Sequence, residues 1–128
     1  METATTAILA FNLLCTGTMT TAGTAKPETK PYAYEYRIDG SSGQWCVDNC
    51  KRISAIYEVQ PAEIILENST EMDAGDALTR TKNVINRETG AQVLTATVDM
   101  RGGKFAINWR GQCVRKPFSG FPKLETKF

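Results

Sequence analysis

Polar and apolar residues alternate along much of this chain. Residues 32–39, YAYEYRID, set Tyr32, Tyr34, Tyr36 and Ile38 on one side and Ala33, Glu35, Arg37 and Asp39 on the other. A period of two with aromatic residues predicts a half-buried strand. Residues 92–100, QVLTATVDM, repeat the pattern, with Leu94, Ala96, Val98 and Met100 opposed to Val93, Thr95, Thr97 and Asp99. Phe105, Ile107 and Trp109 share a face of a further strand, which Gly111 interrupts and residues 112–115 continue. Residues 53–60, 63–68 and 78–87 are rich in Ile, Val and other strand formers and predict three more. Pro61 separates the first two of these and permits a hairpin over residues 60–62. GSSGQ after Asp39, the polar stretch 69–77, Glu88-Thr89-Gly90 and residues 101–104 punctuate the rest as turns or loops. The only helical feature expected is one turn near residues 46–52. The expected fold is mainly β: a single small antiparallel meander of six to seven strands, forming an open barrel or a strongly twisted sheet. The tail KPFSGFPKLETKF is expected to lie extended on that sheet, pinned by Phe118 and Phe121.

The N-terminal residues fall outside this pattern. AILAFNLLC, residues 7–15, is a short apolar run broken only by Asn12, and small residues follow it in GTMTTAGTA. An apolar run followed by a small-residue site is the pattern of a secretory leader. Residues 1–25 are therefore expected to be a cleaved signal peptide, with the cut at Ala25, leaving a single β domain over residues 26–128. The run is too short to span a bilayer as a helix. Against the pattern, the segment before it carries Glu2 and no Lys or Arg. A lipidated Cys15 is disfavoured by the bulky Leu14 before it. Export places the protein in the periplasm or outside the cell, where thiols oxidise.

Composition narrows the chemistry. Lys and Arg total 15 against 14 Asp and Glu, so the basic footprint of a nucleic-acid binder is missing. The chain has no histidine, which removes Ser-His-Asp and Cys-His catalysis and most zinc sites. WCVDNC, residues 45–50, then has three readings. A redox pair of the thioredoxin type needs two intervening residues and a helix start, whereas three residues intervene here. A structural zinc site needs four ligands. A disulfide staple remains, with Cys46, Cys50 and Cys113 as candidates. A Cys46–Cys50 bond requires a turn, which Asp48-Asn49 permits, because four residues of strand span about 13 Å. A Cys50–Cys113 bond would stabilise more, because it closes a longer loop, and it is the pairing expected here.

The motifs WCVDNC, INRETG (residues 85–90), WRGQC (residues 109–113) and PFSGFP (residues 117–122) in this order resemble a group of small secreted bacterial proteins of unknown function. The resemblance implies an exported, mostly β domain. It implies no catalytic residue and no ligand.

Two features are candidate binding elements. The stripe Tyr32, Tyr34 and Tyr36 can stack on a ligand or pack the sheet, and Arg87 can clamp a carboxylate. Glu63 and Glu67, on one face of a strand about 13 Å apart, are too distant for paired-carboxylate glycoside hydrolysis. The sequon Asn68-Ser69-Thr70 matters only in a eukaryotic secretory pathway. The function expected is a small binding or interaction module of the cell envelope, with no cofactor, no nucleic acid and no transmembrane helix in the mature chain. Its partner is an unidentified protein or envelope component. An enzyme working through Asp, Glu, Lys or Tyr, or a purely structural envelope component, is the alternative.

Overall fold

A computed structural model describes residues 8–23 and 26–122. The described residues contain strands and no helix. The strands are β1 (Ala10–Ala22), β2 (Glu28–Asp39), β3 (Gln44–Val47), β4 (Ser54–Ala55), β5 (Glu58–Val59), β6 (Glu63–Met72), β7 (Leu78–Asn86), β8 (Ala91–Met100) and β9 (Gly103–Lys116). All pairings are antiparallel, in the order β4-β3-β2-β1-β9-β8-β7-β6-β5. The fold class is the one the alternation predicts, with nine strands in place of six to seven. Three extra pieces make up the difference: β1, the short β3, and the division of residues 53–60 into β4 and β5. The residues expected as a loop from 69 onward begin as strand, since β6 runs to Met72.

Apart from β1 with β9, every neighbour in this order is also a neighbour in sequence, which makes the sheet a meander joined at its chain ends. The sheet is also rolled. In a flat sheet β3 and β6, six neighbours apart in this order, would stand about 28 Å from each other. Yet the Trp45 indole N–H on β3 donates to the Leu66 carbonyl on β6 at 3.1 Å. The short segment holding β4 and β5 joins the two ends. Ser54–Ala55 pairs with Gln44 and Trp45, and Glu58–Val59 pairs with Ile64 and Ile65. Between them, Ile56 N–H donates to Gly43 O at 2.8 Å and Tyr57 N–H to Leu66 O at 3.2 Å. The barrel is thus closed at one end. Toward the other end β3 stops at Val47 and β5 at Glu58, and the long strands continue without a closing partner.

The closed end holds the core. Phe11, Leu13, Cys15, Tyr36, Ile38, Trp45, Ile64, Leu66 and Ile85 form one buried cluster. Each fully buried large side chain there contributes about 1.5–3 kcal/mol. Alternation supplies it strand by strand, because residues two apart point the same way.

Most of the expected leader forms a strand of the sheet, β1. Residues 10–22 lie in the middle of the sheet between β2 and β9, and Phe11, Leu13 and Cys15 face the core. The apolar run is a strand read with a period of two, followed by a threonine-rich half with good β-propensity. In this structure the sheet includes these residues as well as those from 26 onward. The expected cut at Ala25 lies outside the described residues. Asn12, the polar break in the run, is also explained: it is 1 % exposed and holds the tail. Its amide donates to Ser119 Oγ at 3.0 Å and its carbonyl accepts Ser119 N–H at 3.2 Å. Arg37 adds a bond to Gly120 O at 2.9 Å. The tail is pinned by these polar bonds, while Phe118 and Phe121 stack edge-on against each other.

The disulfides correct the expected pairing. Cys113 bonds Cys15, not Cys50, across directly opposed positions of β9 and β1. Cys50 bonds Cys46, with Cα atoms 5.0 Å apart. The turn that allows the short bond puts Asp48 and Cys50 at positive φ, and Asp48 stabilises it by accepting Glu35 N–H. Treating residues 1–25 as removed had taken Cys15 out of consideration. A long-range bond does form with Cys113, but to the neighbouring strand, where the register sets Cys15 directly opposite it.

Replacing Cys15 and Cys113 together by Ser is expected to cost about 4.7 kcal/mol, against about 2 kcal/mol for the Cys46/Cys50 pair, as the lengths of the closed loops dictate. Urea unfolding of the two double variants checks the order. Truncation after residue 25 removes a central strand and is expected to abolish the cooperative transition, with circular dichroism as the readout.

Candidate functional site

Tyr32, Tyr34 and Tyr36 all point into the barrel, as their spacing predicts. Ring centroids are 5.1 Å apart for Tyr32 and Tyr34, 6.3 Å for Tyr34 and Tyr36, and 5.8 Å for Tyr36 and Trp45. The aromatic row thus crosses from β2 to β3. Its members have different jobs. Tyr36 is 2 % exposed and belongs to the core. Its hydroxyl accepts Gln92 Nε2 at 2.8 Å and Asn83 Nδ2 at 3.2 Å, and Gln92 Nε2 also donates to Asn83 Oδ1 at 3.0 Å. Tyr32 completes this buried network by donating to Gln92 Oε1 at 2.8 Å. It reaches there over Gly111, which stands opposite Gly17 in β1, because a Cβ on Gly111 would collide with the Tyr32 hydroxyl. Burial pushes the Tyr36 phenol up to about 12, and the hydrogen bonds from Asn83 and Gln92 only partly oppose it. Burial, then the neighbouring Tyr34, raises Tyr32 as well.

Tyr34 lies between Tyr36 and Tyr32 on β2 and borders the opening in the barrel wall. Its hydroxyl accepts the Trp109 indole N–H at 3.0 Å. Together they border a cleft of about 440 Å³. Trp45, Leu94 and Ala96 form its apolar walls, Tyr36 and Asn83 its floor, and Glu67 and Thr81 its polar side. A larger groove of about 780 Å³ shares Trp45, Val47, Glu67 and Thr81 with the cleft and runs between β6 and residues 52–57. Tyr57, 55 % exposed, stands on its rim.

Arg87 is not part of this site. It lies at the closed end, where its Nη1 donates to Gln60 O at 2.9 Å and its backbone N–H to Ala62 O at 2.8 Å. It buttresses the β5–β6 hairpin and borders a separate cavity of about 380 Å³ with Phe11, Ile64 and Arg115. Glu63 and Glu67 do not share a face either. A bulge between Ile65 and Glu67 shifts the register, so Glu67 opposes inward-facing Asn83 while Glu63 opposes Asn86. Among the described residues no group of three or more His, Cys, Asp or Glu is placed to hold a metal ion. No helix among them is long and apolar enough to cross a membrane.

Sequence reasoning passed over Asn83, Gln92 and the two tryptophans as site residues. The signal was phase: Gln92 is two positions from Leu94, and Asn83 two from Ile85. A polar residue in phase with inward apolar ones is a buried polar group that needs partners.

No family model matches the chain, and no curated protein or solved structure is significantly similar to it.

Tyr36 makes stability fall at high pH. Below the ordinary value of 10 the phenol is neutral in folded and unfolded chains alike, and its full contribution is present. Above 10 the unfolded chain ionises first, and the folded advantage is lost as pH rises to about 12. The loss expected across that window is about 2–3 kcal/mol. Urea unfolding at stepped alkaline pH measures it. Tyr36→Phe is expected to flatten this slope while costing about 1–3 kcal/mol at neutral pH, because Asn83 and Gln92 lose an acceptor.

Proposed function

We propose that this chain is a small exported binding module of the cell envelope, and that the aromatic cleft at the open end of its barrel is where it holds its ligand. The cleft of about 440 Å³ bounded by Tyr34, Trp45 and Trp109 carries the reading. Binding sites are typically concave and largely apolar with a few convergent polar groups. Here the polar groups are Asp48, Glu67, Thr81, Asn83 and the Tyr34 hydroxyl. That composition suits an amphipathic molecule of modest size, stacked on an indole and anchored by a hydroxyl or amine. Two disulfides and no free cysteine among the described residues favour an oxidising compartment.

The two tryptophans supply the assay, since both line the cleft. Envelope extract separated into lipid, glycan and peptide fractions is titrated into the protein while indole emission is followed. One fraction is expected to change emission saturably, and Trp109→Ala is expected to weaken that response at least about ten-fold, the effect of losing roughly one stacking anchor. Absence of a saturable response from every fraction sinks the proposal, as does a response that Trp109→Ala leaves intact.

A further inference from the structure

β6 is paired along its whole length on one side and over only a part on the other. Toward β7 the ladder runs from Glu63 to Met72. Toward β5 it covers Ile64 and Ile65, and Leu66 O accepts Tyr57 N–H. From residue 67 to residue 72 that side has no backbone partner among the described residues. The sequence there, ENSTEM, has no Pro and no Lys. Free edges invite strand addition, and proteins usually blunt them with Pro, Lys or shortness.

The other free edge is blunted in that way. β2 loses its β3 partner before Glu35, whose carbonyl accepts Asp48 N–H. Backbone groups alternate sides along an antiparallel strand, so Pro31 presents its missing N–H to this same edge, beside Lys30. One edge is guarded and the other is open. The large groove runs along the open one; Glu67, Ser69 and Glu71 line it in a single phase from β6, and Arg52 lines it from the facing segment.

We propose that residues 67–72 bind an extended segment of a partner polypeptide as an added strand, with basic side chains at alternate positions. Backbone hydrogen bonds supply affinity in such additions, and alternate side chains supply specificity. Opposite charges across a strand pair stabilise, so Lys or Arg facing Glu67 and Glu71 complement the edge. The same charges disfavour a second copy of this chain. Antiparallel β6 pairing centred on Ser69 would set Glu67 against Glu71 of the other copy twice, and like charges directly opposed destabilise. The surface shares Glu67 with the cleft but does not use Trp109, so this proposal goes beyond the ligand reading, and the Trp109 variant tells the two apart.

The probe is a short capped peptide of alternating Lys and Thr, used beside the same peptide N-methylated on alternate residues. Binding is measured by fluorescence anisotropy at physiological ionic strength, and amide exchange is followed across the protein. The unmodified peptide is expected to protect amides within residues 67–72, and N-methylation to weaken binding at least about ten-fold. Glu67→Lys with Glu71→Lys is expected to weaken it comparably, and Trp109→Ala to leave it unchanged. Equal binding of both peptides would show charge attraction alone and overturn the proposal. Protection confined to other strands overturns it too. So does protection of residues 67–72 that rises with protein concentration in the absence of peptide, which would assign the edge to a second copy.

Discussion

The pairing of β1 with β9 is the constraint on which the rest depends. It joins the first strand to the last, eleven opposed positions from Asn12 with Lys116 to Ala22 with Ala106. Without it the meander would be a sheet with β1 and β9 at its far edges, and nothing would bring β2 to β8. With it, Tyr36 and Tyr32 on β2 meet Gln92 on β8 and Asn83 on β7 across the barrel. The Cys15–Cys113 bond fixes the register at one rung, over a sequence separation of 98 residues. Contacts so distant in sequence carry a large loop-closure cost in folding, which makes a covalent link within this ladder more stabilising than one between strands adjacent in sequence.

Closure at the other seam has a different physical basis. No long strand completes it. The Trp45 indole, bonded to Ala55 O and Leu66 O, stands between the converging sheet ends. The Cys46–Cys50 ring holds the turn that leads out of β3 into the closing segment. The interior beneath is part apolar and part polar. The polar part is affordable because its members satisfy one another: no buried side-chain nitrogen or oxygen among the described residues lacks a partner. A half-satisfied network in the same place would be worse than an apolar core.

Much of this was legible in the alternation. β2, β8 and β9 follow from period two and β7 from its strand formers, and the inward set Tyr32, Tyr34, Tyr36, Leu94, Ala96 and Trp109 could be read from phase alone. The failures share one cause, which is that sequence shows phase but not partners. AILAFNLLC fits a leader and a core strand equally well until β9 is known to lie beside it. Asn12 looked like a defect in an apolar run because Ser119, its partner, is 107 residues away. Glu63 and Glu67 were set on one face because a bulge leaves little trace in composition. Tyr36 and Tyr34 were indistinguishable as letters in a stripe. Only the height at which the barrel opens separates a core phenol from one that borders a cleft.

That height follows from strand lengths. β3 spans four residues and β5 two, whereas their partners β2 and β6 span twelve and ten. Long strands set beside short ones leave a gap above the point where the short ones end. The same mismatch produces both surfaces of interest. It exposes the upper inner wall, where Trp109 and Tyr34 meet, and it leaves the outer half of β6 without a backbone partner on the side away from β7. A barrel closed along its full height would bury the first and pair the second, as β1 and β9 show on the opposite side. A chain that needed only a stable barrel could have met that need with two longer strands. Pro31 shows that one side of the gap is protected against unwanted pairing, so the unprotected side is the one that bears a functional interpretation.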